Sequence, residues 1–224
     1  MNLCIAACVA GTLVWAADAK AQCPASQGAQ VSVEVTAAQV ETAFDTNLPE
    51  LERLARAAGR EAHLPLMAVY SSNVLFAADI DSRVEQTQAR RSCAVAKAVR
   101  IRIAVGKRMI HAARELRDKA CLRAAAVDHA ATHARHQEER LLAARETIAA
   151  NLKASLRTPA PDAASPAEAE RALARLVSAR IDADLAEIDA DKTEANRVLD
   201  SAESLARLKF ACPSEQAEVD GDRT

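Results

Sequence analysis

Between residues 31 and 35 the run Val-Ser-Val-Glu-Val alternates apolar and polar positions with a period of two, the pattern of a strand with one buried face. The alternation returns in Val99-Arg100-Ile101-Arg102-Ile103-Ala104-Val105, the clearest strand in the chain, with its odd positions buried. Gly106-Lys107 reads as the turn that ends it and Met109-Ile110-His111-Ala112 as a return strand. The apolar runs Leu66 to Tyr70 and Val74 to Phe76 supply one or two further strands. Residues 37–61 carry Leu48, Leu51, Leu54 and Ala58 at helical spacing, with Gly59 near the end, and are expected to form a helix.

From about Leu116 the period changes to that of long helices. Val127, Ala134, Leu141 and Ile148 recur at seven-residue intervals, extended by Leu152 and Leu156, so one stripe faces a partner. Thr158-Pro159-Ala160-Pro161-Asp162 breaks this helix, because two prolines forbid its continuation. A second helix restarts at Ser165-Pro166-Ala167-Glu168, where Ser165 can cap free amides and Glu168 completes a capping box. Its seam runs through Leu173, Val177, Ile181, Leu185, Ile188, Ala195, Leu199, Ala202 and Leu205. The expected fold is α+β: a small antiparallel sheet packed on helices, followed by a long antiparallel helical hairpin. Residues 22–156 form the α+β domain, 157–165 the Pro-rich loop, 166–211 the second long helix, and 212–224 a disordered tail.

Composition narrows the function classes. With 224 residues, 50% apolar and 27% charged, the chain has the balance of a folded protein of one domain plus an extension. A formal net charge of -2 leaves no basic footprint for nucleic acid. Aromatics at 2% suit thin helix packing rather than a thick globule. Leu3 to Ala17 is a continuous apolar run, and Ala19-Lys20-Ala21 offers a signal-peptidase pattern, so residues 1–21 read as a removed signal peptide. The run is shorter than the roughly 20 apolar residues a membrane span needs. The mature protein is therefore expected to be periplasmic or secreted, without a stable membrane anchor.

Loss of Cys4 and Cys8 with the signal peptide leaves Cys23, Cys93, Cys121 and Cys212. Four cysteines in an oxidising compartment favour two disulfides, for which three pairings exist. Cys93 with Cys121 is the local candidate, since a turning segment lies between them, and Cys23 with Cys212 would then tie the ends.

Asp128 to Arg140 concentrates three of the five histidines. On a helix His129, His133 and His136 stand at i, i+4 and i+7 and project from one face. Two imidazoles at the i, i+4 spacing are how a protease helix binds zinc, while the glutamate of H-E-x-x-H takes a proton from the metal-bound water. Ala130 occupies the place of that glutamate, so no residue is assigned a catalytic role. His136 or Glu139 is the candidate third ligand. Set against this is a solvated polar face, because the histidines lie roughly opposite the Val127, Leu141 and Ile148 stripe, near Arg140. His63 and His111 are isolated and read as structural.

Taken in order, Cys93-Ala94, the strand Val99 to Ile103, Ala113-Arg114-Glu115-Leu116, Cys121, and His129 and His133 beyond it resemble the proteobacterial family of predicted secreted zinc-dependent proteases. Cys23-Pro24 and the strand Val31 to Val35 resemble the start of that domain more loosely, and the likeness covers residues 23–156. The resemblance implies zinc on His129 and His133 and a disulfide between Cys93 and Cys121. Because the catalytic glutamate maps to Ala130, it implies a catalytically impaired, pseudoprotease-like protein that keeps a metal. The alternative is a non-catalytic periplasmic helical interaction protein with no metal site, its long seam meeting a protein or peptide partner.

Overall fold

The longest strand of the protein, Ser92–Ala113, organises the sheet. The computed structural model describes residues 23–57, 67–87, 89–201, 203, 204, 206 and 211–221. The expected signal peptide, Gly59, His63, Ala202 and Leu205 lie outside these residues. In chain order the elements are β1 (Gln30–Ala37), β2 (Glu41–Thr46), α1 (Leu48–Ala57), β3 (Ala68–Gln86) and β4 (Ser92–Ala113). A single 3₁₀ turn (Arg114–Leu116) then leads to α2 (Ala120–Ser155), α3 (Pro166–Leu199) and α4 (Pro213–Gly221).

The sheet is not the antiparallel one expected. β3 pairs antiparallel with β4 along its length, through a hairpin closed by the Thr87 amide on the Arg91 carbonyl. β1 and β2 both pair parallel with β4, and they keep one register, Gln30 opposite Ala98 and Glu41 opposite Met109. They are in effect one strand interrupted at residues 38–40, lying along the edge of β4 that β3 leaves free. The chain reverses once through α1 into β3 and again at the hairpin into β4, and two reversals leave β4 parallel to β2.

Residues 41–46 are therefore strand rather than the start of a helix. Phe44 and the β-branched Thr42 and Thr46 suit that strand, and the Asn47 side chain accepts the Glu50 amide to start α1 at Leu48, seven residues after β2 begins.

Gly106-Lys107 is likewise not a turn, and Met109 to Ala112 is not a return strand: β4 runs straight through both. Asn73 pairs with Gly106 but Ser71 with Met109, so β4 carries one extra residue there. Lys107 takes the left-handed conformation at φ 47° to accommodate it. Such a bulge flips the side-chain parity of everything beyond it. Val99, Ile101, Ile103 and Val105 are buried before it, whereas Arg108, Ile110 and Ala112 are buried after it.

The helical hairpin forms as read. Ser165 accepts the Glu168 amide at the start of α3, Pro166 occupies its first turn, and the prolines separate it from α2. Contacts of Asn151 with Asp184, Arg140 with Asp191 and His133 with Asn196 show the two helices to be antiparallel. α3 ends at Leu199, short of residue 211. The segment expected as a disordered tail includes α4, whose Glu215 carboxylate accepts the Cys121 and Leu122 amides at the start of α2.

Two apolar cores lie between sheet and helices. One joins Val99 to Val105 of β4 with Leu141, Ile148, Leu152 and Leu156 of α2 and Leu173, Val177 and Ile181 of α3. The other joins Ile110, Ala112 and Ala113 of β4 with Leu51 of α1, Leu116, and Leu122, Ala126 and Ala130 of α2. At 36 residues, or about 54 Å at 1.5 Å per residue, α2 spans both.

The disulfides are Cys23–Cys93 and Cys121–Cys212, with Cα separations of 5.4 and 5.8 Å. The expected Cys93–Cys121 and Cys23–Cys212 pairings are excluded by β4 itself. Cys93 is its second residue and Cys121 lies beyond its far end, so some twenty residues of strand, about 66 Å at about 3.3 Å each, run between Cys93 and that end. A disulfide needs its Cα atoms within roughly 7 Å. Among the described residues no helix is long and apolar enough to cross a membrane.

Candidate metal centre

Both β4 and α2 turn polar at one level, between the two cores. On β4 this is the bulge and the buried Arg108, and on α2 it is the buried His133 and Gln137. The Arg108 guanidinium is 7% exposed. It donates to the Ala38 carbonyl at 2.8 Å, the Ala134 carbonyl at 3.2 Å and the Tyr70 oxygen at 3.3 Å, and pairs with Glu138 at 3.0 Å. The Tyr70 and Ser72 hydroxyls both donate to Gln137 Oε1 at 2.8 Å. The Arg108, Tyr70, Ser72 and Gln137 side chains thereby satisfy one another within the protein, while Asn73 Oδ1, opposite Gly106 at the bulge, is buried without a partner.

One turn towards the start of α2, the last turn of α3 closes over the histidines. Asp200 Oδ1 lies 3.0 Å from His129 Nε2 and 2.9 Å from His133 Nε2, and the two Nε2 atoms are 3.3 Å apart. The imidazole rings meet edge to face, with centroids 5.0 Å apart and planes at 86°. On its other nitrogen, His133 Nδ1 faces Asn196 Oδ1 at 2.8 Å. That contact fits Nδ1–H donating to the amide oxygen, which leaves the Nε2 lone pair directed at the shared point. On the exposed side of the same turn of α3, the hydrogen bond and charge of Arg197 hold the Glu194 carboxyl below its ordinary range and raise Arg197 in return.

His129, His133 and Asp200 form a group that could hold a metal ion. His136 does not join it. A residue at i+7 shares the helix face but stands about 10 Å further along the axis, beyond the reach of one ion. Glu139 is exposed and also outside the group. Nor is the histidine face solvated: His133 is only 4% exposed, because α2 is covered by the sheet on one side and by α3 on another. His111 sits on β4 with Nε2 3.2 Å from the Ser71 hydroxyl.

Ala130, the position of the protease glutamate, faces away from this group. It is 1% exposed and belongs to the lower core with Leu122, Ala126 and Ile110.

Sequence reasoning missed Asp200 and Asn196. With the hairpin turning near residue 162, the stretch opposite His129 and His133 falls at about 190 to 200. That stretch also contains Asp191 and Glu194, and only helix register selects among them.

No family model, curated protein or solved structure matches this chain. Its fold and site define a protein with two disulfides, a mixed sheet under a helical hairpin, and a two-histidine, one-aspartate group suited to a metal ion.

Proposed function

We propose that this is a periplasmic or secreted zinc-binding protein whose metal clasps the end of α3 to α2, and that it does not cleave peptides. The observation that carries the reading is the convergence of His129 Nε2, His133 Nε2 and Asp200 Oδ1 on one point. Two lone-pair nitrogens and a carboxylate oxygen at 2.9 to 3.3 Å from one another are satisfied together by a cation between them. A tetrahedral zinc with ligands at about 2.0–2.1 Å sets those ligands roughly 3.3 Å apart, close to the observed edges. Imidazole and carboxylate also suit zinc better than hard cations, which prefer oxygen alone. Asn196 supplies the orienting hydrogen bond that metal-bound imidazoles have on their second nitrogen.

The resemblance to secreted zinc-dependent proteases then extends to the ligand pair and stops there. The residue after His129 would have to reach the metal-bound water, and in this fold that position points into the core. Two disulfides accord with an oxidising compartment, and a signal peptide at residues 1–21 supplies the route to it.

Zinc titration and elemental analysis of the purified mature protein test the reading. One zinc per chain is expected, lost in His133→Ala and Asp200→Ala and retained in His136→Ala. Zinc at background in the wild type, or undiminished in the first two variants, overturns it.

A further inference from the structure

The two halves of α3 are held in different ways. Its buried residues, Ala169, Ala172, Leu173, Val177, Ile181 and Asp184, all lie at or before Asp184, little past its midpoint. Beyond Asp184 the apolar residues of the helix are at most partly buried, as at Leu185, Ile188, Ala195 and Leu199, and Val198 is 61% exposed. What fixes this second half is polar: Arg140 with Asp191, His133 with Asn196, and the two histidines with Asp200.

Twelve residues beyond Asp200, Cys212 is buried in the core that holds Leu122 and Ala126 and is bonded to Cys121. Cys121 lies on α2 itself, eight residues before His129 and so about 12 Å away along the helix. α4 completes the fastening through Glu215 on the start of α2 and the Lys119–Glu218 ion pair. The carboxylate ligand is thus carried on a span anchored at one end by the buried half of α3 and at the other by a disulfide to the helix that bears the imidazoles.

The two disulfides also differ in access. Cys23 and Cys93 are both buried, whereas Cys121 is exposed. A small external thiol therefore reaches the Cys121–Cys212 bond first.

We propose that the Cys121–Cys212 disulfide and the metal centre are coupled: the disulfide holds Asp200 in ligand position, and the bound metal protects the disulfide from reduction. This rests on the zinc-binding reading above. In the reductive step two external thiols give up two electrons and two hydrogens and join as a disulfide, while the Cys121–Cys212 bond breaks and each sulfur gains one hydrogen. With that bond open, the chain beyond Asp200 loses its covalent tie to α2, and ordering Asp200 becomes a larger part of the work of binding metal. Linkage requires the reverse effect by the same factor.

Two measurements on the full mature chain test the coupling. In the first, zinc affinity is compared between wild type and the Cys121→Ser/Cys212→Ser variant, which introduces no thiol ligands. The variant is expected to bind roughly 5- to 150-fold more weakly, the usual range of coupling between two sites. In the second, reduction of wild-type Cys121–Cys212 by a water-soluble phosphine is followed by alkylation and peptide mapping, with and without zinc. Zinc is expected to slow it several-fold in the wild type and to have no effect in His133→Ala. If the double variant does not fold, the protection experiment decides alone. Equal affinity in wild type and variant, or reduction unaffected by zinc, overturns the coupling while leaving the zinc site standing. Absence of zinc from the wild type overturns both.

Discussion

Restoring the missing glutamate separates a damaged protease from a core position that never served a metal. Ala130 is 1% exposed, on the side of α2 that packs against Ile110, Leu122 and Ala126. In Ala130→Glu the new carboxylate has no polar partner there and must lose its charge to remain buried. Neutralising a carboxyl of ordinary pKa near 4.3 at pH 7 costs about 3.7 kcal/mol, at about 1.36 kcal/mol per unit. Forcing the longer side chain into a filled space adds about 1–3 kcal/mol. The expected loss is therefore roughly 5–7 kcal/mol, comparable with the whole stability of many domains. Urea unfolding followed by circular dichroism measures it. Burial raises the folded-state pKa of the introduced group, so its charge cost grows as pH rises above about 4.3 and vanishes below it, leaving the steric part. Ala130→Gln, which adds similar bulk without charge, should show no such pH dependence. A peptide-cleavage assay with added zinc completes the test. A variant of wild-type stability that hydrolyses peptides in a zinc-dependent way would refute the placement of residue 130 and restore the protease reading.

Two other substitutions probe the level between the cores. Arg108→Ala should lower stability by about 3 kcal/mol, because it strands the Ala38 carbonyl and removes one partner each from the Ala134 carbonyl and the Tyr70 hydroxyl; Glu138, which is half-exposed, recovers some of its loss in water. A shift in unfolding free energy below about 1 kcal/mol would mean that the guanidinium is not enclosed. Lys107→Gly removes a side chain from a left-handed residue at φ 47° and should stabilise the protein by about 0.5 kcal/mol, strain relief slightly exceeding the added chain entropy. The check is thermal unfolding, in which a lowered midpoint contradicts the bulge.

The sequence by itself determined what depends on neighbours a few residues apart. The alternation of Val31 to Val35 and Val99 to Val105 made strands, the seven-residue stripe made α2, and Ser165 with Pro166 made the start of α3. The same short-range spacing placed His129 and His133 together on one helix. Four cysteines in the described chain likewise announced two disulfides without saying which.

Only the tertiary structure decided what depends on register between distant segments. Gly106-Lys107 has the local chemistry of a turn, and β3 alongside it makes it a bulge instead. Strand direction follows from how many times the chain reverses before it meets β4. The length of β4 separates Cys93 from Cys121, although they are close in sequence. Asp200 becomes the third member of the histidine group because the hairpin brings α3 back along α2 to that level, 67 residues beyond His133. A one-residue change in any of these registers would leave the local patterns intact and move a different side chain into place, which is why no local pattern could specify them.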